Sequence, residues 1–439
     1  ALRSMGISWE KVMQHVNPDE VSVYSGSAMG QLDQNGGSGY ITSSQMGGRV
    51  SAKQLPLSLN TMPADFINAY LLGSVGTSGS VTGACATFLY NLKAATHDIT
   101  SGRSRVVLVG NSEAPITPEV IDGYHAMSAL ASDEKLLSLD QSDQVDHRRA
   151  SRPFGENCGF TLAESSQYFV IMDDQLAMDL GANIYGAVTD VFVNADGFKK
   201  SISAPGPGNL ITMTKALASA KALLGGEAII HNSFVQAHGS STPQNRVSEA
   251  SLLQRVAAEF KIQKWPTLAV KSYVGHSLSP SSADQLMSTL GVFEHNILPG
   301  IKTVSSIAED VQADRLHFPL QDEVIKQNTM KVGFLNSKGF GGNNASACII
   351  SPKVVEAMII RRYGNECFSD YQEKLKTTKA NISRYEKQAL QGDISPDYKF
   401  GLGIIDEANI SIDNNKMNLP SFSTSIGLAK TSIYGDMVE

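Results

Sequence analysis

The chain has 439 residues, of which 42% are hydrophobic and 18% charged, and its formal net charge is −7 at pH 7. This composition is typical of a globular protein with a large core, and the acidic balance argues against nucleic-acid binding. No signal peptide opens the sequence, and the uncharged stretch 66–92 is rich in Gly, Ser and Thr, so we predict no membrane segment. Four cysteines without C-x-x-C spacing predict reduced thiols, a cytoplasmic location and no metal site.

Strand-like and helix-like segments alternate along most of the chain. Strands are predicted at 21–25, 105–110, 167–172, 184–194, 234–237, 267–272, 331–336 and 345–351, and helices at 63–72, 86–99, 213–224 and 244–260. Such alternation predicts a layered α/β architecture.

Cys85 stands where the strand-like run 79–82 turns into a helical stretch. A side chain at a helix N-terminus faces unpaired N–H groups, and the helix dipole stabilises a negative charge there by about 0.3–1 kcal/mol. Cys85 is therefore a candidate nucleophile. A cysteine considered alone is more often a small buried hydrophobe, and Cys158, Cys348 and Cys367 keep that interpretation.

Two histidines follow strand-like runs in the second half of the chain. His238 comes after the run 233–237, and His276 is expected to end the run 268–274 through Gly275. The carboxyl ends of strands are where open α/β sheets build their sites. One histidine in such a place is more often a structural hydrogen-bonding group, but two of them together with Cys85 indicate catalysis.

Five short motifs carry a family resemblance that spans residues 1 to about 352. They are T-G-A-C-A-T at 82–87, R-P-F with G-F at 152–160, H-G-S-S-T-P at 238–243, K-S-Y-V-G-H at 271–276 and N-S-K-G-F-G-G-N-N at 336–344. In this order they resemble the motifs of β-ketoacyl-acyl-carrier-protein synthases of the Cys-His-His type, the condensing enzymes of fatty acid synthesis. Departures from the family pattern include Lys338 in place of an aromatic residue, Gln285 in place of an acid, and S-P-S-S at 279–282.

The resemblance implies a thiolase-like α/β fold, duplicated and packed as five α-β-α-β-α layers. Residues 1–176 would form the N-terminal half with the nucleophile, 177–352 the C-terminal half with both histidines, and 353–439 a C-terminal extension. The family's usual assembly is a homodimer.

The resemblance also implies roles for individual residues. Cys85 would accept an acyl group, His238 and His276 would stabilise the enolate formed when a malonyl group loses carbon dioxide, and Lys271 would act electrostatically. The backbone N–H groups of Cys85 and Phe340 would form the oxyanion hole.

Further implied contacts concern the substrate. Ser240 and Thr242 would bind the pantetheine arm, and Phe340 with Gly341 would form a mobile gate. No cofactor is implied, because phosphopantetheine arrives on the acyl carrier protein or on the acyl-CoA or acyl-carrier donor.

Segments 111–115 and 155–160 resemble the long synthases of pseudomonads and related bacteria, which start fatty acid synthesis by joining acetyl-CoA to malonyl carrier protein. Other interpretations remain open: a ketosynthase of a polyketide or polyunsaturated fatty acid pathway, and a catalytically silent chain-length partner. A thiolase or a Cys-His-Asn synthase is disfavoured, because no late C-x-G motif occurs and His276 is present. Chain-length preference stays open.

The two ends of the sequence carry separate expectations. The family places more chain, including a first central strand, before the nucleophile, so we expect a segment upstream of residue 1 in the native molecule. Phe368, Tyr371, Leu375, Ile382 and Tyr385 recur at helical spacing up to Gly392. This pattern predicts a helix on the enzyme's own surface, with a partner-binding helix as the alternative.

Basic residues are the candidate contacts for an acidic carrier protein, because opposite charge speeds association. The candidates are Arg49, Lys53, Lys199, Lys200 and Lys338. The alternative is ordinary solvated surface charge.

Overall fold

The computed structural model describes residues 1–30, 40–202, 204–428 and 435–437. The strands are β1 Val21–Gly26, β2 Ser78–Gly79, β3 Val106–Glu113, β4 Ser165–Met172, β5 Ala187–Ala195, β6 Ser233–Gln236, β7 Trp265–Leu268, β8 Ile297–Leu298, β9 Leu316–His317, β10 Glu323–Val324, β11 Val332–Gly339, β12 Asn343–Ile350, β13 Ser411–Ile412, β14 Lys416–Asn418 and β15 Ile426–Gly427.

The α-helices are α1 Trp9–Met13, α2 Tyr40–Gln45, α3 Gln54–Leu57, α4 Met62–Ile67, α5 Thr87–Thr100, α6 Pro118–Ala126, α7 Asp133–Asp140, α8 Asp174–Leu180, α9 Gly208–Leu224, α10 Gly226–His231, α11 Pro243–Glu259, α12 Lys271–Val274, α13 Ser281–His295 and α14 Pro352–Gln391. A π-helical turn, Asn68–Leu72, continues α4. Within the described ranges, no helix combines the length and the hydrophobicity needed to span a bilayer.

Two sheets repeat one topology. The first has the order β2-β1-β3-β4, with β1 parallel to β2 and β3, and β4 antiparallel to β3. In the second, β7, β6 and β11 are parallel and β12 is antiparallel to β11, so these four strands correspond to the first sheet. The second sheet also has β9 at one edge and β5 beside β12, whereas β4, among the described residues, pairs with β3 only.

Helices α5 and α13 lie between the two sheets. Their side chains, among them Phe88, Leu92 and Leu286, belong to one buried cluster with Val107 of β3 and Leu335 of β11. Helix α4 packs on the outer side of β1, and α9 packs on the outer side of β5 and β12. The order helix, sheet, helix, sheet, helix is the five-layer arrangement that the family resemblance implies.

The strand predicted at 267–272 is shorter than expected. β7 ends at Leu268, and Lys271–Val274 form one helical turn that closes at Gly275, whose φ is +70°. His276 therefore follows a helical turn and does not end the strand, which corrects the expectation. In this turn the Lys271 side chain is buried, and its ammonium donates to the carbonyl of His238 at 2.6 Å.

The run 79–82 is likewise only partly a strand, since pairing with β1 is confined to Ser78 and Gly79. The remaining predicted strands and helices are present, with ends displaced by a few residues.

Helix α14 confirms the prediction from the apolar stripe. Tyr371 and Ile382 are buried against the body of the enzyme, and the Tyr371 hydroxyl donates to the carbonyl of Ala182 at 2.9 Å. The helix ends at Gly392, whose φ is +75°, a backbone conformation that glycine adopts at low cost. The interpretation as a helix on the enzyme's own surface is thus correct.

Candidate active site

Cys85 lies in a tight turn two residues before α5 begins. The Thr87 hydroxyl accepts from the N–H of Gly83 at 3.0 Å and donates to the carbonyl of Ala84 at 2.6 Å. Ala84 has a φ of +49°, which is strained for a residue with a side chain. The turn therefore presents the cysteine side chain at the helix N-terminus, as the sequence predicts.

The second half of the molecule holds this turn from behind. The hydroxyls of Ser337, in β11, and Ser281, at the start of α13, both donate to the carbonyl of Cys85, at 3.1 and 3.3 Å. A cysteine from one half is thereby fixed by two residues of the other half. Neither serine could be assigned this role from the sequence.

Burial is the largest influence on the Cys85 thiol, which is 4% exposed, and it raises the pKa of Cys85 to about 11. The Lys271 cation and the N–H groups of Cys85 and Phe340 act in the opposite direction on this pKa. The helix N-terminus therefore does not keep the sulfur ionised, and the resting group is a thiol. The N–H groups of Cys85 and Phe340 thus both interact with the sulfur.

His238 and His276 face the same small space. They are 5% and 3% exposed, and their ring centroids are 5.3 Å apart. Nδ1 of His238 accepts from the N–H of Lys338 at 3.4 Å, and Nδ1 of His276 accepts from the N–H of Leu278 at 3.2 Å. An acceptor at Nδ1 requires that the proton of a neutral ring sit on Nε2.

Burial lowers the pKa of both histidines well below its usual value, and the nearby Lys271 cation lowers both pKa values further. Both rings are therefore neutral at physiological pH. Two neutral imidazoles that each present Nε2–H form a pair of hydrogen-bond donors suited to a developing oxyanion.

Glu249 of α11 is a positioning residue that the sequence analysis did not identify. Its carboxylate accepts from the N–H groups of His238 and Gly239 at 2.6 and 2.8 Å, and from the side-chain amides of Asn336 and Asn245 at 2.6 and 2.8 Å. Four donors satisfy the buried carboxylate, whose charge also acts against the burial that lowers the pKa of the nearby Lys271 and Lys338 ammonium groups. The sequence contains one indication of this role: Glu249 is an acidic residue on the same helix face as Leu253 and Val256, which are buried.

Lys271 is fully enclosed, at 2% exposure, and burial lowers its pKa to about 8. Its ammonium donates to the carbonyl of His238 at 2.6 Å. Because the same cation lowers the pKa of Cys85, His238 and His276, it acts on all three reactive groups at once.

Replacing Lys271 by Met is expected to raise the pKa of the Cys85 thiol above its value of about 11, because the nearest cation is lost. Only the thiolate reacts with iodoacetamide. At a fixed pH below the pKa of Cys85, each unit by which this pKa rises therefore slows alkylation by about tenfold. The measurement is the rate of Cys85 alkylation between pH 7 and 10 by intact mass. Lys271→Arg keeps the charge and is the matched control; equal rates for Met and Arg variants would contradict this account.

Ser240 and Thr242, the predicted pantetheine contacts, lie side by side with their hydroxyls 3.1 Å apart. Phe340 is 42% exposed at the start of a turn in which Gly341 and Gly342 have φ values of +88° and +91°. These positive dihedrals favour glycine and give the turn the sharp reversal between β11 and β12.

Gly339, just before the predicted gate, packs directly on the nucleophile turn. A Cβ at this position would lie 2.2 Å from the carbonyl oxygen of Gly83 and 3.2 Å from the nitrogen of Cys85. We expect Gly339→Ala to lower the free energy of unfolding by about 1–3 kcal/mol and to slow acylation of Cys85. Thermal unfolding and acylation rates test this, with Gly226→Ala as the control, because its nearest neighbour would be 3.9 Å away. If Gly339→Ala changed neither the thermal unfolding nor the acylation rate, the nucleophile turn would be free to move away from residue 339, which would contradict this expectation.

The five basic candidates for carrier-protein docking divide into two groups. Arg49, Lys53 and Lys200 are exposed. The Lys199 ammonium is enclosed, 3.5 Å from a carboxylate oxygen of Asp196 and donating to the carbonyl of Ile202 at 2.6 Å. Lys338 is mostly buried and donates to the Ser248 hydroxyl at 3.3 Å. Lys199 and Lys338 are thus not freely solvated surface charges, which was the alternative interpretation, and their role in carrier-protein docking stays a prediction.

A cluster of apolar side chains lines the remaining side of the sulfur. Tyr124, Phe160 and Leu278 pack with Cys85 in one buried group. Of these, only Phe160 was part of a motif recognised in the sequence. Within the described part of the chain, no group of three or more His, Cys, Asp and Glu side chains could hold a metal ion.

Comparisons with known proteins agree with this geometry. The profile of the beta-ketoacyl synthase N-terminal domain matches residues 1–176, and that of the C-terminal domain matches residues 185–305. The chain is 56% identical over 439 residues to the beta-ketoacyl-[acyl-carrier-protein] synthase FabY of Pseudomonas aeruginosa, covering 100% of this chain and 69% of that protein. It is also 27% identical over 337 residues to the 3-oxoacyl-[acyl-carrier-protein] synthase 2 of Synechocystis, covering 76% of each chain.

The crystal structure of the ketosynthase FabY from P. aeruginosa superposes with a TM-score of 0.98, covering 100% of this chain and 68% of that one. The chain therefore belongs to the beta-ketoacyl synthase family, condensing acyltransferases with a duplicated, thiolase-like α/β fold.

Proposed function

We propose that this chain condenses a short primer from acetyl-CoA with malonyl-acyl carrier protein, giving a 3-oxoacyl carrier protein and carbon dioxide at the start of fatty acid synthesis. The observation that supports the proposal is that the His238 and His276 rings lie 5.3 Å apart, with Phe160, which packs with Cys85, 5.2 Å from the His276 ring. The Lys271 cation acts on the pKa of the thiol and of both imidazoles, and both imidazoles carry their proton on Nε2.

The first step is thiol–thioester exchange. The Cys85 sulfur bonds to the acyl carbon, the bond from that carbon to the donor's sulfur breaks, and the thiol proton passes to the departing sulfur. No net base is consumed, which suits a resting thiol whose pKa is about 11. The N–H groups of Cys85 and Phe340 would stabilise the tetrahedral oxyanion.

The second step is decarboxylation and carbon–carbon bond formation. The malonyl carboxylate leaves as carbon dioxide, and its electron pair forms an enolate whose oxygen accepts hydrogen bonds from His238 and His276. The enolate carbon then attacks the acyl carbon on Cys85, and the sulfur leaves as thiolate, which takes up a proton to restore the thiol. Neutral rings suit this task, because a second proton on Nδ1 would face the N–H groups that now donate to it.

A panel of donors tests the proposal. Malonyl carrier protein is supplied with acetyl-, butyryl-, hexanoyl- and octanoyl-CoA, or with the same acyl groups on carrier protein, and the 3-oxoacyl products are quantified by mass spectrometry. We expect acetyl-CoA to give the highest kcat/KM. A preference for long acyl carriers would contradict the initiating role, and absence of any product would favour a silent chain-length partner.

The carrier protein is the proposed macromolecular partner, with exposed Lys200 among its contacts. We expect Lys200→Glu to raise the KM for malonyl carrier protein several-fold at low salt, with little change in kcat, and to lose this effect at high salt. Lys387→Glu, an exposed lysine on α14, is the charge-matched control. Equal KM values for Lys200→Glu and Lys387→Glu would show that Lys200 is not part of the docking surface.

We also propose a homodimer in the cytoplasm. The edge strand β2 pairs only with β1 among the described residues, and the exposed apolar side chains of Val75 and Val81 lie close in sequence on its two sides. A second copy would cover them. Light scattering should then give twice 47.0 kDa, and a mass of 47.0 kDa for active enzyme would contradict the dimer.

A further inference from the structure

We infer that Tyr124 sets the upper limit on the length of the acyl group that Cys85 can carry. The inference rests on the proposed function, in which Cys85 is the acyl acceptor. Tyr124 would be a specificity-determining residue for the primer.

The position of Tyr124 is the first support. It lies in α6, is 8% exposed, and belongs to the buried cluster that contains Cys85, Phe160 and Leu278. Behind these side chains pack Val120, Ala129, Leu130 and Leu162. The apolar surroundings of the sulfur are therefore made by this cluster, and a hydrocarbon tail attached to Cys85 is expected to enter it.

Neighbouring rings hold the Tyr124 ring in place. Its centroid is 5.2 Å from the ring of Phe160 and 6.2 Å from the ring of Phe340. Phe160 in turn lies 5.2 Å from the ring of His276. The Tyr124 ring thus packs edge to face on Phe160, the aromatic residue beside His276, so an acyl chain that displaced Tyr124 would also have to move Phe160.

The hydroxyl of Tyr124 adds a second barrier. It has no hydrogen-bond partner among the described residues, and burial followed by the charges of Cys85 and Glu113 raises the pKa of Tyr124. A hydrocarbon chain that reached this hydroxyl would exclude water from it and leave it without a partner, which is unfavourable. Ring volume and hydroxyl polarity both favour a short primer.

Two substitutions separate these contributions. Wild type, Tyr124→Phe and Tyr124→Ala are incubated with acetyl-, hexanoyl- and octanoyl-CoA, and acylation of Cys85 is followed by intact mass. We expect Tyr124→Ala to increase the octanoyl-to-acetyl rate ratio at least about tenfold, and Tyr124→Phe to increase it less. Tyr185→Ala removes a partly exposed ring that is not part of the Cys85 cluster, and it should leave the ratio unchanged.

The outcomes distinguish this inference from the proposed function. If wild type is acetylated and Tyr124→Ala retains its octanoyl-to-acetyl ratio, the inference is overturned while the condensing role stands. If no acyl-CoA or acyl carrier protein acylates Cys85 in the wild-type enzyme, the proposed function is contradicted, and the inference on Tyr124 is overturned with it. Should Tyr124→Ala not fold, as judged by thermal unfolding, Tyr124→Leu fills more of the cluster and is expected to change the ratio in the same direction; an unchanged ratio there also overturns the inference.

Discussion

Replacing Cys85 by Ala is expected to reduce condensation by at least about 10⁴-fold, because removal of a covalent nucleophile leaves no acyl intermediate. Decarboxylation of malonyl carrier protein should persist, since the proposed donors for the enolate oxygen are the two imidazoles and not the sulfur. The measurement is a parallel assay of 3-oxoacyl product and of released carbon dioxide.

The control for Cys85→Ala is Cys348→Ala. Cys348 is also fully buried, and its thiol donates to the carbonyl of Ala216 at 3.1 Å on the far side of the second sheet. We expect the Cys348 variant to condense at a rate close to wild type. Unchanged turnover in Cys85→Ala would contradict the mechanism outright.

Replacing His276 or His238 by Ala is expected to lower kcat by about 10²–10³-fold each, the usual effect of losing one oxyanion donor. The loss should appear in decarboxylation of malonyl carrier protein, whereas transfer of the acyl group to Cys85 should be affected much less. Stopped-time mass spectrometry of Cys85 acylation, beside the carbon dioxide assay, separates the two steps.

Asparagine is the informative replacement at His276, because its amide keeps one N–H donor in a side chain of smaller size. We expect His276→Asn to retain more decarboxylase activity than His276→Ala. A pH profile adds a further check: since the pKa of each histidine is well below its usual value, kcat should stay level down through pH 6.5. A decline in kcat centred on pH 6.5 would show that the rings titrate normally.

The parts of the fold that could be predicted are those encoded in local pattern. The alternation of strands and helices located most elements of both halves, and the apolar stripe at 368–389 located α14 with its end at Gly392. The one serious misplacement is His276 at a strand end: residues 268–274 are β-like in sequence, but Lys271–Val274 form a helical turn in which the buried Lys271 bonds to the His238 carbonyl. That bond joins residues 33 positions apart, and local propensity does not include it.

The supporting groups of the site were not predictable for the same reason. Ser337 lies 252 residues from Cys85, and Lys338 lies 100 residues from His238, yet each forms a hydrogen bond that positions a reactive group. Tyr124 belongs to none of the recognised motifs, and its packing with Cys85 is visible only in the structure. Lys199 and Lys338 look like surface charges in the sequence, but the Lys199 ammonium lies between Asp196 and the turn that contains Gly342, and Lys338 is mostly buried beside Ser248 of α11.

The sequence by itself determined which chemical groups are present: one cysteine at a strand-to-helix turn, two histidines and a lysine in the family order. Only the tertiary structure decided the state of those groups. Enclosure in a low-dielectric space makes the sulfur a thiol, keeps both imidazoles neutral and brings the pKa of Lys271 to about 8. Burial depends on every neighbouring segment at once, so it is a property of the folded chain and not of any motif within it.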